Sequence, residues 1–240
     1  MRSVPWFICA LLVFAAPAAL AGGVDLTWGT GCYPENPQTL RTFACNTNVG
    51  SASMVASFLL SADEPQFVGI QATVRLEAQA TAIPDWWQFF NAGTCRTTAL
   101  STSADFTAAP QQACSDPWAG QAGGGVTSYI TGTSLNPPAT GWLRLAYAVP
   151  SAVPLFHGVE YYAFRATVTF AKTVGTGACA GCTVPVLLVL DDLRSSQSNQ
   201  VTEDCTTPIA NACIDWQAGS GCQIVPVRNL TWGRVQSLYR

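Results

Sequence analysis

Apolar and polar residues alternate without a fault from Ile70 to Ala78, through Gln71, Ala72, Thr73, Val74, Arg75, Leu76 and Glu77. A period of two belongs to a strand with one face in a core and the other in water. Tyr162 to Phe170 repeats the pattern with aromatic and β-branched residues inward. Leu143 to Val149 is a shorter version, and Ser53 to Leu60 a weaker one. Val184 to Leu190 is apolar throughout, which reads as a strand covered on both faces. Short strands are also expected at Val24–Trp28, Arg41–Cys45, Trp86–Phe90, Cys95–Leu100, Ala210–Trp216 and Gln223–Val227.

Turn-forming clusters separate these runs: Tyr33 to Pro37, Asn136 to Pro138, and Val174 to Gly181. Many strands, frequent turns and no long amphipathic helix predict an all-β, antiparallel β-sandwich of jelly-roll or cohesin-like type. Two segments depart from the rhythm. Ser101 to Gly141 has little periodicity and reads as one long, partly irregular loop. At the C-terminus Thr231 can cap a short helix that puts Trp232, Val235 and Tyr239 on one face. That segment is read as a docked helix turn, with a sorting tag as the sharper alternative.

The first 21 residues follow a different logic. Met1 and Arg2 give a positive start, Trp6 to Ala16 is an apolar run, and Ala19-Leu20-Ala21 is a small-x-small cleavage pattern. This reads as a signal peptide over residues 1–21, leaving residues 22–240 as a single secreted β-sandwich domain. The run is too short to span a bilayer, and neither a membrane span nor a lipid anchor is expected. The expected location is therefore secreted, periplasmic or cell surface.

Charged residues make up only 10% of the chain, against roughly 25% in ordinary soluble domains, so Ser, Thr, Asn and Gln must cover the surface. Net charge is −3 and Lys172 is the only lysine. With no basic stripe to neutralise phosphates, nucleic acid is excluded as a partner class. The preference for Arg over Lys, with abundant Ala and Gly, is a coding habit of GC-rich bacterial genomes.

Cys9 lies in the leader, and nine cysteines follow it: Cys32, Cys45, Cys95, Cys114, Cys179, Cys182, Cys205, Cys213 and Cys222. In an exported chain these are disulfide candidates, about four bridges with one thiol left over. Local spacing points to Cys32–Cys45, Cys95–Cys114 and Cys179–Cys182, with two of Cys205, Cys213 and Cys222 forming the fourth. Cys179-Ala180-Gly181-Cys182 is a CxxC, but a strand-like run follows it where a redox motif needs a helix start. It has no second CxxC with which to build a zinc site. A small disulfide closing a hairpin turn is the expectation.

Candidate chemistry is sparse. His157 is the only histidine; it sits in a turn and is read as a solvated turn residue. Asp85, Asp116, Glu160, Asp191 and Asp192 could supply the carboxylate pair of a glycosidase, yet no spacing singles out an acid and a base. No cofactor is expected. The doublets Asp63-Glu64, Asp191-Asp192 and Glu203-Asp204 could at most hold a structural calcium. The aromatic cluster is more telling. Trp86 and Trp87 are adjacent in a predicted strand, and Trp118 lies in the long loop. If exposed, the three could stack on sugar rings; otherwise they seal the ends of the sandwich.

The order of these motifs resembles that of a group of secreted proteins from environmental bacteria. It runs from Leu26-Thr27-Trp28 through Phe43-Ala44-Cys45-Asn46-Thr47-Asn48 and Pro84-Asp85-Trp86-Trp87-Gln88-Phe89. It continues with Cys95-Arg96, Cys114-Ser115-Asp116-Pro117-Trp118 and Cys179 to Cys182, and ends in Thr231 to Arg240. The resemblance covers nearly all of the chain after the leader. It implies a secreted β-sandwich and carries no activity and no catalytic residue. Such sequences often have a further cysteine in the strand after Cys182, where this chain has Val186 and Leu187; that departure would account for the odd cysteine. More loosely, the strands are similar to cohesin-like and carbohydrate-binding sandwiches. The expected function is a non-catalytic binding or structural module with an undefined ligand, a polysaccharide or another cell-surface protein being the partner classes. The alternatives are a carbohydrate-binding module and a secreted glycoside-type hydrolase.

Overall fold

The computed structural model describes residues 23–29, 32, 38–90, 93–108, 114–132, 138–206, 211–219 and 221–222. The leader, the Gln223–Val227 strand and the C-terminal helix fall outside these residues.

The described residues are all-β apart from one 3-10 turn, Asp85–Trp87. The strands are β1 (Gly23–Trp28), β2 (Leu40–Arg41), β3 (Ser51–Leu59), β4 (Glu64–Ala78), β5 (Leu100–Ser103) and β6 (Gly123–Thr131). They continue with β7 (Thr140–Leu155), β8 (Glu160–Thr169), β9 (Val186–Gln197), β10 (Thr202–Asp204) and β11 (Cys213–Trp216). A four-stranded sheet has the order β1-β3-β8-β5. A larger sheet has the order β2-β11-β9-β4-β7-β6, with β10 added to the far half of β9. Pairing is antiparallel except between β11 and β2.

Alternation explains why the sheets face each other. Val24, Leu26, Trp28, Met54, Ala56, Phe58, Phe164, Ala166 and Val168 from the smaller sheet are buried. So are Ile70, Ala72, Val74, Leu76, Leu143, Leu145, Leu188 and Leu190 from the larger one. Rings meet across the gap, with Phe58 on Phe67 at 6.2 Å and Trp28 on Trp216 at 5.9 Å between centroids. The sandwich is thus the layered solution that two one-sided apolar sheets require.

Strand positions follow the sequence pattern where alternation is strong and depart where it is not. Trp86–Phe90 is not a strand: Pro84 and Asp85 start the 3-10 turn. Cys95–Leu100 is mostly turn, with a strand beginning only at Leu100. Of Arg41–Cys45 only Arg41 lies in a strand, the two-residue β2. The supposed loop Ser101–Gly141 contains most of β5 and the nine-residue strand β6. β6 escapes the periodicity test because it is an edge strand that begins Gly123-Gly124-Gly125 and buries only Tyr129. A Cβ on Gly124, where φ is +139°, would run into the Ala146 carbonyl, so the close approach of β6 to β7 needs glycine there. β9 is not buried on both faces; Leu187 and Val189 are only half-buried.

Four disulfides staple the sandwich: Cys32–Cys114, Cys45–Cys182, Cys95–Cys179 and Cys213–Cys222. The local pairs Cys32–Cys45, Cys95–Cys114 and Cys179–Cys182 are all corrected. In a sandwich, loops that are neighbours in space are distant along the chain, and three of the four bridges join residues 82 to 137 apart. The CxxC closes no hairpin; its two cysteines anchor two different loops. Cys205 is the cysteine left over, and it is buried. Burial, with the Glu203 charge adding to it, pushes its thiol up to about 12, so it carries little thiolate with which to react at neutral pH.

Candidate functional site

The two outward faces of the sandwich differ. On the smaller sheet Asp25, Thr27, Val55 and Ser57 point away from the core, yet all are buried. Phe106, just past β5, lies flat on Tyr162 with ring centroids 4.2 Å apart, and the Arg165 guanidinium covers its ring at 5.0 Å. The Cys32–Cys114 bridge packs beside Glu160, whose carboxylate accepts a hydrogen bond from Ser57. This face is roofed.

The outward face of the larger sheet is open, and strand register arranges it in rows across β6, β7, β4 and β9. One row runs Ile130, Trp142, Arg75, Val189. The next runs Ser128, Arg144, Thr73, Asp192. The third is Gly125, Ala146, Gln71, Arg194, and the fourth is Gly123, Ala148, Gly69, Ser196. Rows on one face lie two residues apart, roughly 6.8 Å, so four rows cover about 20 Å of strand. On β6 and β7 the last two rows carry only glycine and alanine, and with Gly69, Gln71 and Ser196 these floor a groove of about 840 Å³ that extends over the β6 edge to Phe90, Leu100 and Thr102. A second hollow of about 440 Å³ adjoins it, sharing Gln71, Thr127 and Ala146, and is walled by Arg144 and Asp192.

Polar groups on this face are held in place. Arg75 donates to Asp191 through Nε at 2.6 Å and a second nitrogen at 3.0 Å, and it also pairs with Glu77. Arg194 Nε donates to Asp192 at 3.1 Å. A bulge in β9 opposite the step from Thr73 to Val74 makes Asp191 and Asp192 consecutive outward residues. Phe90 forms the far wall; it is 40% exposed and has φ of +58°, a conformation a bulky side chain rarely adopts.

The three tryptophans that could stack on sugar rings if exposed lie elsewhere. Trp86 and Trp87 are fully buried and Trp118 is 1% exposed. In the 3-10 turn Trp86 and Trp87 turn into the same core, edge to face at 5.1 Å, with Trp216 against both. Arg96 caps this cluster, its guanidinium 3.6 Å from the Trp86 ring centroid and donating to the Trp86 carbonyl at 3.1 Å. Burial lowers the Arg96 pKa to about 10, which leaves it charged. Trp118 packs between Phe67 and Tyr147, its indole N–H donating to the Tyr162 carbonyl at 3.0 Å. A stacking platform needs a ring face in water, so these three are core residues. Trp142 is the one tryptophan among the described residues that is not buried. Its signal was the phase of the alternation: Leu143, Leu145 and Tyr147 point inward, so Trp142 must point out.

The carboxylates considered for hydrolysis do not form one pair. Asp85 is exposed at the start of the 3-10 turn. Asp116 accepts from the Trp118 amide at 2.9 Å, and Glu160 holds Ser57 on the roofed face. Asp191 and Asp192 are committed to arginines on the open face. His157 is a solvated turn residue whose Nδ1 lies 2.6 Å from Asp63; its backbone and side-chain hydrogen bonds lower the Asp63 pKa. Of the doublets considered for calcium, Asp63 is engaged by His157. Glu64 is buried against Ser195, and Glu203 accepts from the Ser61 amide at 2.6 Å. Among the described residues the one clustering of potential metal ligands is Cys32, Cys114 and Glu160, and its two sulfurs are joined to each other. No helix among the described residues is long and apolar enough to cross a membrane.

No known family model matches the chain, and no curated protein matches it in sequence.

Proposed function

We propose that this chain is an exported, non-catalytic binding module that holds a polysaccharide on the open face of its larger sheet, and that it belongs with the secreted bacterial β-sandwich proteins its motifs resemble. The observation that carries the reading is the contrast between the two outward faces. One is covered by the protein itself. The other presents Trp142, fixed guanidinium–carboxylate pairs and a long shallow groove. Apolar sugar faces stack on indole rings, and sugar hydroxyls bridge such polar pairs. Four disulfides fit an oxidising compartment. The scatter of the carboxylates supports binding over hydrolysis.

The test is retention on a panel of insoluble and soluble polysaccharides. The native protein is expected to be retained by at least one, and Trp142→Ala to be retained no more than an unrelated sandwich protein. Retention unchanged in Trp142→Ala would remove the open face from the proposal.

A further inference from the structure

Charge on the open face is almost entirely cancelled from within. Of its arginines, Arg75 is held by Asp191 and Glu77, and Arg194 by Asp192. Arg144 differs. It is exposed and makes no ion pair among the described residues. Its cross-strand neighbours, Ser128 on β6 and Thr73 on β4, are neutral. Its neighbours on the same face of β7 are Trp142 and Ala146. The acids nearest in register, Asp192 beyond Thr73 and Asp191 beside Arg75, already have partners. Arg144 therefore stands without an ion-pair partner of its own at the wall of the 440 Å³ hollow, on a face whose other two arginines share three carboxylates, one row from the half-buried indole of Trp142.

We propose that the polysaccharide bound here carries carboxylates, as a uronic acid polymer does, and that Arg144 binds one of them. This rests on the glycan reading of the same face. A guanidinium presents a planar fork that matches a carboxylate with two parallel hydrogen bonds. The roughly 6.8 Å between Trp142 and Arg144 along one face lets one sugar ring stack while the carboxylate of that ring or its neighbour reaches the fork. A nucleic acid would need many more cations than this face offers.

The experiment measures affinity of the full disulfide-bonded chain for polygalacturonate and alginate, and for the same polymers after reduction of their carboxyls to alcohols. A set of neutral polysaccharides is run beside them. At least one acidic polymer should bind about tenfold or more tightly than its reduced form, the range expected for a charge-assisted hydrogen bond. Arg144→Gln should abolish that preference, weakening binding to the acidic form far more than binding to the reduced one. Arg144→Lys should recover part of it. Trp142→Ala should weaken both forms. Near-ultraviolet circular dichroism and intact mass establish that each variant is folded and fully bridged. Equal affinity for acidic and reduced polymers, or a preference that survives Arg144→Gln, overturns the carboxylate inference and leaves the glycan reading standing. Absence of binding to every polymer, neutral ones included, overturns both.

Discussion

The roofed face and the open face are built from the same material, strands that alternate apolar and polar residues, and end in opposite states. On the smaller sheet the outward positions hold Asp25, Thr27 and Ser57, polar groups with little side-chain reach. They are out of water: Thr27 accepts from the Gln38 amide and Ser57 donates to Glu160, while both Asp25 carboxyl oxygens are buried without a well-formed hydrogen bond. On the larger sheet the outward positions hold long charged side chains that pair with one another at the surface. The lesson is that a polar face in the sequence does not by itself mean a wet face. What decides is whether a tethered segment is available to lie on it, and here Cys32–Cys114 supplies the tether.

The contrast can be broken most forcefully through its tryptophans. Trp118 fills the core between Phe67 and Tyr147, so Trp118→Ala should cost about 3–5 kcal/mol of stability. Trp142→Ala, on the open face, should cost about 1 kcal/mol or less. Denaturant melts of the two variants side by side check this, and equal costs would contradict the assignment of one ring to core and the other to surface.

Removing the roof's tether is the next largest change. Cys32→Ser with Cys114→Ser opens a loop whose ends are 82 residues apart and should lower stability by about 2–4 kcal/mol. Binding of a hydrophobic dye should rise as Phe106 and Tyr162 are uncovered, with glycan retention unaffected.

A smaller effect comes from pH. Burial raises the Asp25 carboxyl from 3.8 to about 6, with the Asn211 side chain and the Leu26 amide opposing the rise. The folded state then holds a proton between pH 4 and 6 that the unfolded state has released. Stability should therefore fall as pH rises across that window, by up to about 3 kcal/mol, and level off above it. Asp25→Asn should flatten most of this slope and be the more stable form at pH 7. Glu64, whose pKa burial also raises, leaves a remainder that Glu64→Gln should remove. Urea melts at half-unit pH steps measure both.

The least perturbing test is chemical. Cys205 should stay unmodified by a thiol reagent in the folded protein at pH 7 and react fully on unfolding, read by mass.

Much of the architecture was legible in the chain. Ile70 to Ala78 lies within β4, and all of Tyr162 to Phe170 but its last residue lies within β8, because a half-buried strand imposes a period of two that nothing else does. The odd cysteine among Cys205, Cys213 and Cys222 was anticipated too, and it is Cys205. The site was less legible. Trp86 and Trp87 drew notice by density, but a proline-led turn sent both rings inward. Trp142 lies just before the run Leu143 to Val149 and is out of phase with the buried residues for which that run was read. The rows of the open face depend on the pairing of β6, β7, β4 and β9, and the bulge that doubles Asp191 and Asp192 appears only once β9 is laid against β4.

Three of the bridges have a bearing on how the chain matures. Cys32 waits for Cys114, Cys95 for Cys179, and Cys45 for Cys182, so a nascent chain meeting an oxidant from its N-terminus first encounters Cys32 and Cys45, which are not mates. Adjacent thiols such as Cys179 and Cys182 can close a ring long before their proper partners arrive. Production in hosts that oxidise thiols but cannot reshuffle them should yield scrambled isomers of identical mass, and co-expression of a disulfide isomerase should convert these to a single chromatographic species.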